Sequence, residues 1–258
     1  MISSAELLKI LVSRCASIDA SYIAKASITG KNEALFRDLT LQAIGIDYPS
    51  FFARPEWVIP SQSLELWNRI RPKSAPGKKG KSKPAKKGIV DLVVLPMAEP
   101  LGIEPALAIE FKLWYWFDAL NESKFGETHR DTHHSISKSF LTDATKLLSV
   151  IPGPEPRRHI VTVVPTFHVA DFPNSSKNSR GKFLKERDFK YVTLSKVNSY
   201  DSSTSTENLR QAAIKALVSD FRAYGCPTLV GGGLTGSYRD ITVTTDFVVS
   251  EIPTNLKN

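Results

Sequence analysis

Charged residues interrupt two apolar segments of this sequence. Asp91 lies within IVDLVVL, at residues 89–95, and both Glu110 and Lys112 lie within ALAIEFKLWYW, at residues 106–116. Removing an ion from water costs on the order of several kcal/mol unless a partner compensates for it. Charges at these positions therefore indicate ion pairs or a bound ion.

The two segments have the composition of β-strands, and residues two apart on a strand share a face. Glu110 and Lys112 are therefore expected to point the same way, and a hairpin between the segments would bring Asp91 towards Glu110. Two buried carboxylates repel each other until one protonates, or until a cation lies between them. The sequence alone leaves open a buried Glu110–Lys112 pair, or a Lys112 that reaches solvent at the strand end.

A divalent cation at the two carboxylates would suit hydrolysis. Mg²⁺ prefers oxygen ligands and commonly uses one or two carboxylates, with water and substrate phosphate completing its shell. Lys112, one side-chain position further along the strand, could hold an attacking water or offset charge on a phosphate. These residue types match metal-assisted hydrolysis of a phosphodiester.

Asp91, followed by Glu110-Phe111-Lys112 on the next strand, resembles the PD-(D/E)XK nuclease superfamily, which has the restriction-endonuclease-like fold. The resemblance covers about residues 31–165. It includes Glu33 in NEALFRDL, at the place where many members carry a helix Glu. The helix dipole also favours a Glu in a first turn, so Glu33 has an ordinary structural explanation as well.

The resemblance implies a site and its roles. Asp91, Glu110, Glu33 and the carbonyl of Phe111 would bind Mg²⁺, for which Mn²⁺ can substitute. Asp91, Glu110, Lys112 and Glu33 would form the catalytic set, with Lys112 orienting or activating the water. The sequence departs from the family in two respects, since Val90 replaces the Pro of the family name and SKSFLTDATKLL lacks the Gln/Tyr pair of one branch.

The order of elements predicts an α/β fold with a central mixed sheet flanked by helices. We expect residues 1–258 to form one nuclease-like domain with a core at about 31–165, a flexible Lys-rich loop at 71–88 and a C-terminal elaboration of further helix and strands at 171–258. The first predicted helix is capped by Ser3 or Ser4, and the second spans about 31–44 and is ended by Gly45. The third is capped by Ser135 or Ser137 and continues to residue 150, and the fourth spans 207–224. Predicted strands are 89–95, 106–114, 159–165, 191–197 and 241–249, whereas 46–63 is expected to be irregular and 231–233 a flexible loop.

The positive charge of the chain is concentrated in one segment. Residues 71–87 contain one Arg, seven Lys and no acidic residue, which equals the net charge of +8 for the whole chain. A nucleic acid and a plain solvated linker explain such a run about equally well. Beside an acidic hydrolytic site, this run and a second basic stretch at residues 171–190 favour phosphate-backbone binding. The candidate nucleic-acid-binding residues are Lys73, Lys78, Lys79, Lys81, Lys83, Lys86, Lys87, Lys177, Arg180 and Lys182.

Cysteine use and hydropathy suggest the compartment. Cys15 and Cys226 form no disulfide framework or zinc pattern, which favours a reducing, cytoplasmic setting. The first residues are expected to form an amphipathic helix, not a signal peptide, and no apolar run is long enough for a membrane span.

The sequence therefore predicts a Mg²⁺-dependent DNA endonuclease of restriction, defence, repair or mobile-element type. Double-stranded DNA is the favoured substrate, and monomer and homodimer both stay open. One alternative is an inactive nucleic-acid-binding or assembly subunit with the same fold. Another is an interaction protein whose Lys-rich segment is an inert linker. The histidines of THRDTHHS, at residues 128–135, lack the second ligand pair of a zinc site and have no assigned role.

Overall fold

The computed structural model describes residues 2–30, 32–60, 65, 88–97, 105–115, 130–151, 157–169, 182, 186 and 206–256. The described chain is α/β, with a mixed six-stranded sheet flanked by helices. The helices are α1 (Ser4–Ala16), α2 (Ala20–Thr29), α3 (Asn32–Asp47), α4 (Arg130–Val150) and α5 (Thr206–Ala223). The strands are β1 (Phe51–Val58), β2 (Ile89–Pro96), β3 (Leu107–Leu113), β4 (Arg157–Val169), β5 (Thr228–Tyr238) and β6 (Ile241–Glu251).

The strands lie in the order β1-β2-β3-β4-β6-β5. The pair β3–β4 is parallel, and every other neighbouring pair is antiparallel. A parallel pair needs a long crossover, and α4 lies in that connection. The hairpin predicted for β2 and β3 is confirmed by their antiparallel register.

Both faces of the sheet are covered by helices. On one face, Ile109 and Phe111 of β3 belong to a buried cluster with residues of α1 and α3, including Phe36. On the other face, Ala108 belongs to a buried cluster with Phe140 of α4 and with residues of α5. The alternation along β3 therefore directs Glu110 and Lys112, like Ala108, towards the α4 side.

The predicted start of α1 is confirmed at Ser3. The Ser3 side chain accepts a hydrogen bond from the Glu6 amide at 3.2 Å, and the Glu6 carboxylate accepts one from the Ser3 amide at 2.7 Å. This reciprocal arrangement is a capping box, which satisfies two amides that the first turn would otherwise leave unpaired.

Two helix predictions were wrong in their bounds. Gly45 does not end α3, which continues to Asp47, because a glycine inside a helix weakens it by only about 1 kcal/mol. The helix predicted to start at Ser135 or Ser137 begins at Arg130 instead. In addition, the structure contains α2, capped by Asp19 and ended by Gly30 in the left-handed conformation, which the sequence analysis did not predict.

Two strands lie where irregular structure was predicted. Residues 51–58 form β1, which pairs along its length with β2. Residues 231–233 are not a loop but part of β5, which pairs with β6. Gly232 and Gly233 have φ of 130° and 75° at an irregularity in this pairing, so glycine here permits a bulge within a strand. The strand predicted at 191–197 lies outside the described residues.

Candidate active site

The register of the β2–β3 hairpin places Asp91 opposite Glu110. Leu92 pairs with Ile109 and Val93 with Ala108, and the same register sets the two acidic residues against each other. Directly opposed residues of antiparallel strands share a face, with Cβ atoms about 5 Å apart. The structure therefore brings these two predicted site residues together on the α4 side of the sheet.

Asp91 is fixed by the backbone of the neighbouring strand. Its Oδ2 accepts a hydrogen bond from the Phe111 amide at 2.7 Å. Phe111, predicted to contribute a carbonyl ligand, thus enters the site through its amide N–H, while its side chain is buried in the opposite core cluster.

Glu110 is a buried acid that contacts a lysine. Its side chain is 2% exposed, and its Oε1 forms an ion pair with Nζ of Lys146 in α4. Burial, with a smaller contribution from the negative charges of Asp91 and Asp143, raises the pKa of Glu110 to about 8 against the opposing effect of Lys146. A carboxyl group with this pKa titrates close to neutral pH, so that its protonated and its ionised forms are both accessible there.

Lys112 pairs with an acid of α4. Its Nζ lies 3.1 Å from Oδ2 of Asp143. Desolvation alone would lower the pKa of Lys112, but Asp143 and Glu110 outweigh it and raise the pKa above its usual value. Lys112 therefore remains an ammonium group, held at the strand end by Asp143.

Glu33 reaches the same strand end from the start of α3. Its Oε1 accepts a hydrogen bond from the Leu113 amide at 2.8 Å. The Glu33 side chain as a whole is exposed, yet desolvation of its carboxylate raises its pKa, and Asp91 and Asp143 add to this effect. The Glu33 carboxylate therefore interacts with the charges of Asp91, Lys112 and Asp143.

Asp143 and Lys146 complete the site, although sequence reasoning assigned neither a role. Lys146 Nζ donates to the carbonyl of Ile89 at 2.9 Å and lies 3.6 Å from Oδ1 of Asp143. Both residues lie on α4 among apolar positions that face the sheet, including Phe140 and Ala144. Their position beside that stripe is the sequence signal that could have identified them.

The composition of the site suits a hard cation. Its members are the carboxylates of Glu33, Asp91, Glu110 and Asp143 and the ammonium groups of Lys112 and Lys146. When all are ionised, the acids exceed the lysines by two charges, which a divalent ion would balance. The described residues contain no group of three or more His, Cys, Asp or Glu arranged to hold a metal. The fit to Mg²⁺ thus rests on Asp91 and Glu110, within the one or two carboxylates that this ion commonly uses.

Of the predicted nucleic-acid-binding residues, Lys182 alone lies in the part of the chain that the structure describes. Its side chain is 81% exposed, with Nζ 3.9 Å from Oε1 of Glu186. The other nine lie outside the described residues: Lys73, Lys78, Lys79, Lys81, Lys83, Lys86, Lys87, Lys177 and Arg180.

A second polar cluster joins α1 to the sheet but lacks the order of a catalytic triad. Ser4 Oγ lies 2.9 Å from Nε2 of His159 and donates to Oε2 of Glu251 at 3.1 Å. A Ser4 hydroxyl group that donates its proton to Glu251 can only accept from His159, whose Nε2 would then carry the ring proton. The opposite polarity is needed for His to activate Ser, and both side chains are buried. This cluster is therefore structural.

Comparisons with known proteins add no assignment. No protein-family model matches the chain, and neither a curated protein nor a solved structure shows significant similarity to it. None of the described helices combines the length and apolar character needed to cross a membrane.

Proposed function

We propose that this protein is a Mg²⁺-dependent nuclease that hydrolyses phosphodiester bonds, with DNA as substrate and internal cleavage as its mode. The observation that carries the proposal is the geometry of one hairpin. Asp91 and Glu110 oppose each other on β2 and β3, and Lys112 follows on the same face. A buried carboxyl group whose pKa is strongly raised, as that of Glu110 is, is frequent at functional centres.

The element order supports a restriction-endonuclease-like core. Along the chain, α3 precedes three strands that pair in antiparallel succession, and α4 then leads to a fourth strand that is parallel to β3. This order of elements agrees with the order that the resemblance implies. In this arrangement α3 supplies Glu33, the hairpin supplies Asp91 and Glu110, and α4 supplies Asp143.

The proposed mechanism assigns each side chain a task. Asp91 and Glu110 would hold Mg²⁺, which when bound polarises the phosphate and lowers the pKa of a coordinated water. Lys112 would orient the attacking water or offset the charge that develops on the phosphate. Asp143 would keep the Lys112 ammonium at the strand end through their ion pair, and Glu33 would assist from the opposite side of that strand end.

Plasmid cleavage tests this function. Supercoiled and linear DNA are incubated with Mg²⁺, with Mn²⁺ or with a chelator, and the termini of the products are sequenced. We expect metal-dependent cleavage that Asp91→Asn and Lys112→Met each reduce by about 10²-fold or more. Asn retains an oxygen acceptor for the Phe111 amide, so Asp91→Asn removes the charge and preserves the hydrogen bond.

Asp47→Asn is the matched control, because Asp47 forms an exposed ion pair with Arg14 away from the hairpin. It should cleave like the wild type. Discrete fragments would indicate sequence specificity, and a continuous smear would indicate its absence. Metal-independent cleavage, or full activity in Asp91→Asn, would refute the proposal.

A second candidate is a nucleic-acid-binding or assembly subunit without catalysis. It is favoured by the contact of Glu110 with Lys146, which gives the acid a partner that needs no metal. Salt-dependent DNA binding without cleavage in Mg²⁺ or Mn²⁺ would select this function. Absence of DNA binding would instead select an interaction protein.

A further inference from the structure

Lys146 occupies a cage of oxygen atoms at the centre of the site. Its Nζ contacts Oε1 of Glu110, donates to the Ile89 carbonyl at 2.9 Å and lies 3.6 Å from Oδ1 of Asp143. The Lys146 side chain is 10% exposed. Lysine is almost never this buried without compensating partners, and here two carboxylates and a backbone carbonyl compensate for it.

The oxygen atoms around Lys146 are of the same kinds as those that surround metal ions in proteins. Carboxylate and carbonyl oxygens are the ligands that hard cations take in proteins, and an ammonium is a compact cation with three donors. One oxygen of Glu110 cannot serve Lys146 and a divalent ion at full strength, since two cations at one oxygen repel each other.

The two lysines of the site differ in the acid with which each forms its ion pair. Lys112 forms its ion pair with Asp143, whereas Lys146 forms one with Glu110, the acid predicted to bind the metal. Replacing Lys146 by a neutral residue therefore releases Glu110, a candidate metal ligand. Replacing Lys112 by a neutral residue releases Asp143, which is not a candidate ligand.

We propose that the Lys146 ammonium is a built-in counter-cation that occupies the Glu110 carboxylate in the metal-free protein and competes with a divalent ion for it. This inference rests on the proposed metal-dependent function and specifies how its site is regulated. Metal loading requires Lys146 to leave Glu110, which weakens binding of the ion. The displaced ammonium remains within reach of Asp143, its neighbour on α4 at i−3.

Calorimetric titration of the full-length protein with Mg²⁺ and with Mn²⁺, at fixed pH and ionic strength, tests the competition. We expect Lys146→Met to bind either ion at least tenfold more tightly than the wild type. Lys146→Arg keeps the charge and can hold a carboxylate through two parallel hydrogen bonds, so it should bind more weakly than the wild type. Lys215→Met removes an exposed lysine of α5 and should leave the affinity unchanged.

The competition is supported if the affinity for the divalent ion is highest in Lys146→Met, intermediate in the wild type and lowest in Lys146→Arg. Equal or weaker binding by Lys146→Met would overturn it and make Lys146 a residue that holds Glu110 in place for the metal. Thermal unfolding of each variant verifies folding, and if Lys146→Met does not fold, the comparison of Lys146→Arg with the wild type decides: binding by Lys146→Arg as tight as the wild type or tighter overturns the competition.

Failure of the inference and failure of the proposed function differ in their results. A wild-type protein that binds Mg²⁺ and cleaves DNA, with no gain in Lys146→Met, overturns only the role of Lys146. A protein for which neither the wild type nor Lys146→Met binds a divalent ion overturns both.

Discussion

Glu110 shows at the scale of one residue how a buried acid opposes folding. Its side chain is 2% exposed and lies near the negative charges of Asp91 and Asp143. Desolvation is the largest cause of its raised pKa, so the folded protein favours the protonated form. A single ammonium, that of Lys146, only partly offsets this effect.

Replacing Glu110 by Gln should make the metal-free protein less sensitive to pH. The Glu110 pKa rises from 4.5 to about 8 on folding, so the stabilisation from its proton is complete below pH 4.5 and is lost as the pH rises through 8. Relative to the wild type, we expect the free energy of unfolding of Glu110→Gln to increase between pH 5 and 8 by more than about 1.4 kcal/mol, the equivalent of one pKa unit. Urea denaturation in a chelator at several pH values measures it.

The pH dependence of the difference is the informative quantity, because Glu110→Gln removes the titrating carboxyl group and leaves Lys146 its contacts with the Ile89 carbonyl and Asp143. Added Mg²⁺ should stabilise the wild type and not the variant. Parallel pH profiles for the two proteins would contradict a raised pKa of Glu110 in the folded protein.

His159 should make the protein sensitive to acid. It is fully buried, and desolvation lowers its pKa from 6.5 to about 3, with Arg157 adding to the effect. Its Nδ1 has no hydrogen-bond partner among the described residues. Stability linked to the neutral ring is complete above pH 6.5 and is lost as the pH falls through 3. We expect His159→Gln to lose about 2 kcal/mol less than the wild type between pH 6.5 and 4.5.

Thermal unfolding followed by circular dichroism at both pH values measures this difference. Ser4→Ala is the control, because it removes the hydroxyl bonded to His159 without removing the titrating ring. It should retain the acid sensitivity of the wild type. Equal acid sensitivity in His159→Gln would contradict the assignment.

At the scale of elements, α2 approaches β5 so closely that only glycine fits where they meet. A Cβ at Gly236 would overlap the backbone carbonyl of Ala20 at the start of α2. Gly45 in α3 has open space around it. We expect Gly236→Ala to lower the free energy of unfolding by about 1–3 kcal/mol, and Gly45→Ala to raise it by about 0.5–1 kcal/mol. Denaturant titration of both variants makes the comparison.

The two substitutions are chemically identical, so they control for each other. A loss of stability in both would indicate that added apolar surface, and not the close approach of α2 to β5, is responsible. No loss in Gly236→Ala would show that α2 can move away from β5 without penalty.

The elements that the sequence predicted well are those whose pattern is local. β2 and β3 have β-branched apolar runs, and α5 has helical spacing with Gly225 at its end. β1 was missed because Pro55 and the exposed Phe52 resemble a loop, whereas pairing with β2 determines its structure. β5 was missed because its glycines suggest flexibility when no partner strand is considered.

The residues of the site also divide into those that a local sequence pattern predicts and those that depend on distant packing. Asp91, Glu110 and Lys112 could be identified because each interrupts an apolar strand, and strand periodicity states which side chains share a face. The position of Asp143 and Lys146 beside the apolar stripe of α4 marks them as candidates, but the sequence could not assign their roles, since these depend on how α4 crosses the sheet. That placement results from packing of α4 against the sheet and against α5, which is distant in sequence and whose Phe221 stacks on Phe140.

At the scale of the whole molecule, charge is segregated along the chain. The segment 71–87 accounts for the entire net charge of +8, so the remainder is formally neutral while its candidate site is acidic. Such a distribution would let one part of the chain bind a polyanion while another holds the cation used in its hydrolysis. The binding of DNA should then depend on salt through this segment.

Replacing the seven lysines of this segment by serine should weaken DNA binding at least about tenfold at 0.1 M salt, with little change in thermal stability. For each phosphate that the variant no longer neutralises, the slope of log affinity against log salt should become shallower by about 0.9. Fluorescence anisotropy with a labelled duplex over a salt series measures both quantities. Replacing the same lysines by arginine keeps the charge and should preserve the slope. An unchanged affinity and slope in the serine variant would instead show that the segment is a linker and that the phosphate backbone is bound elsewhere.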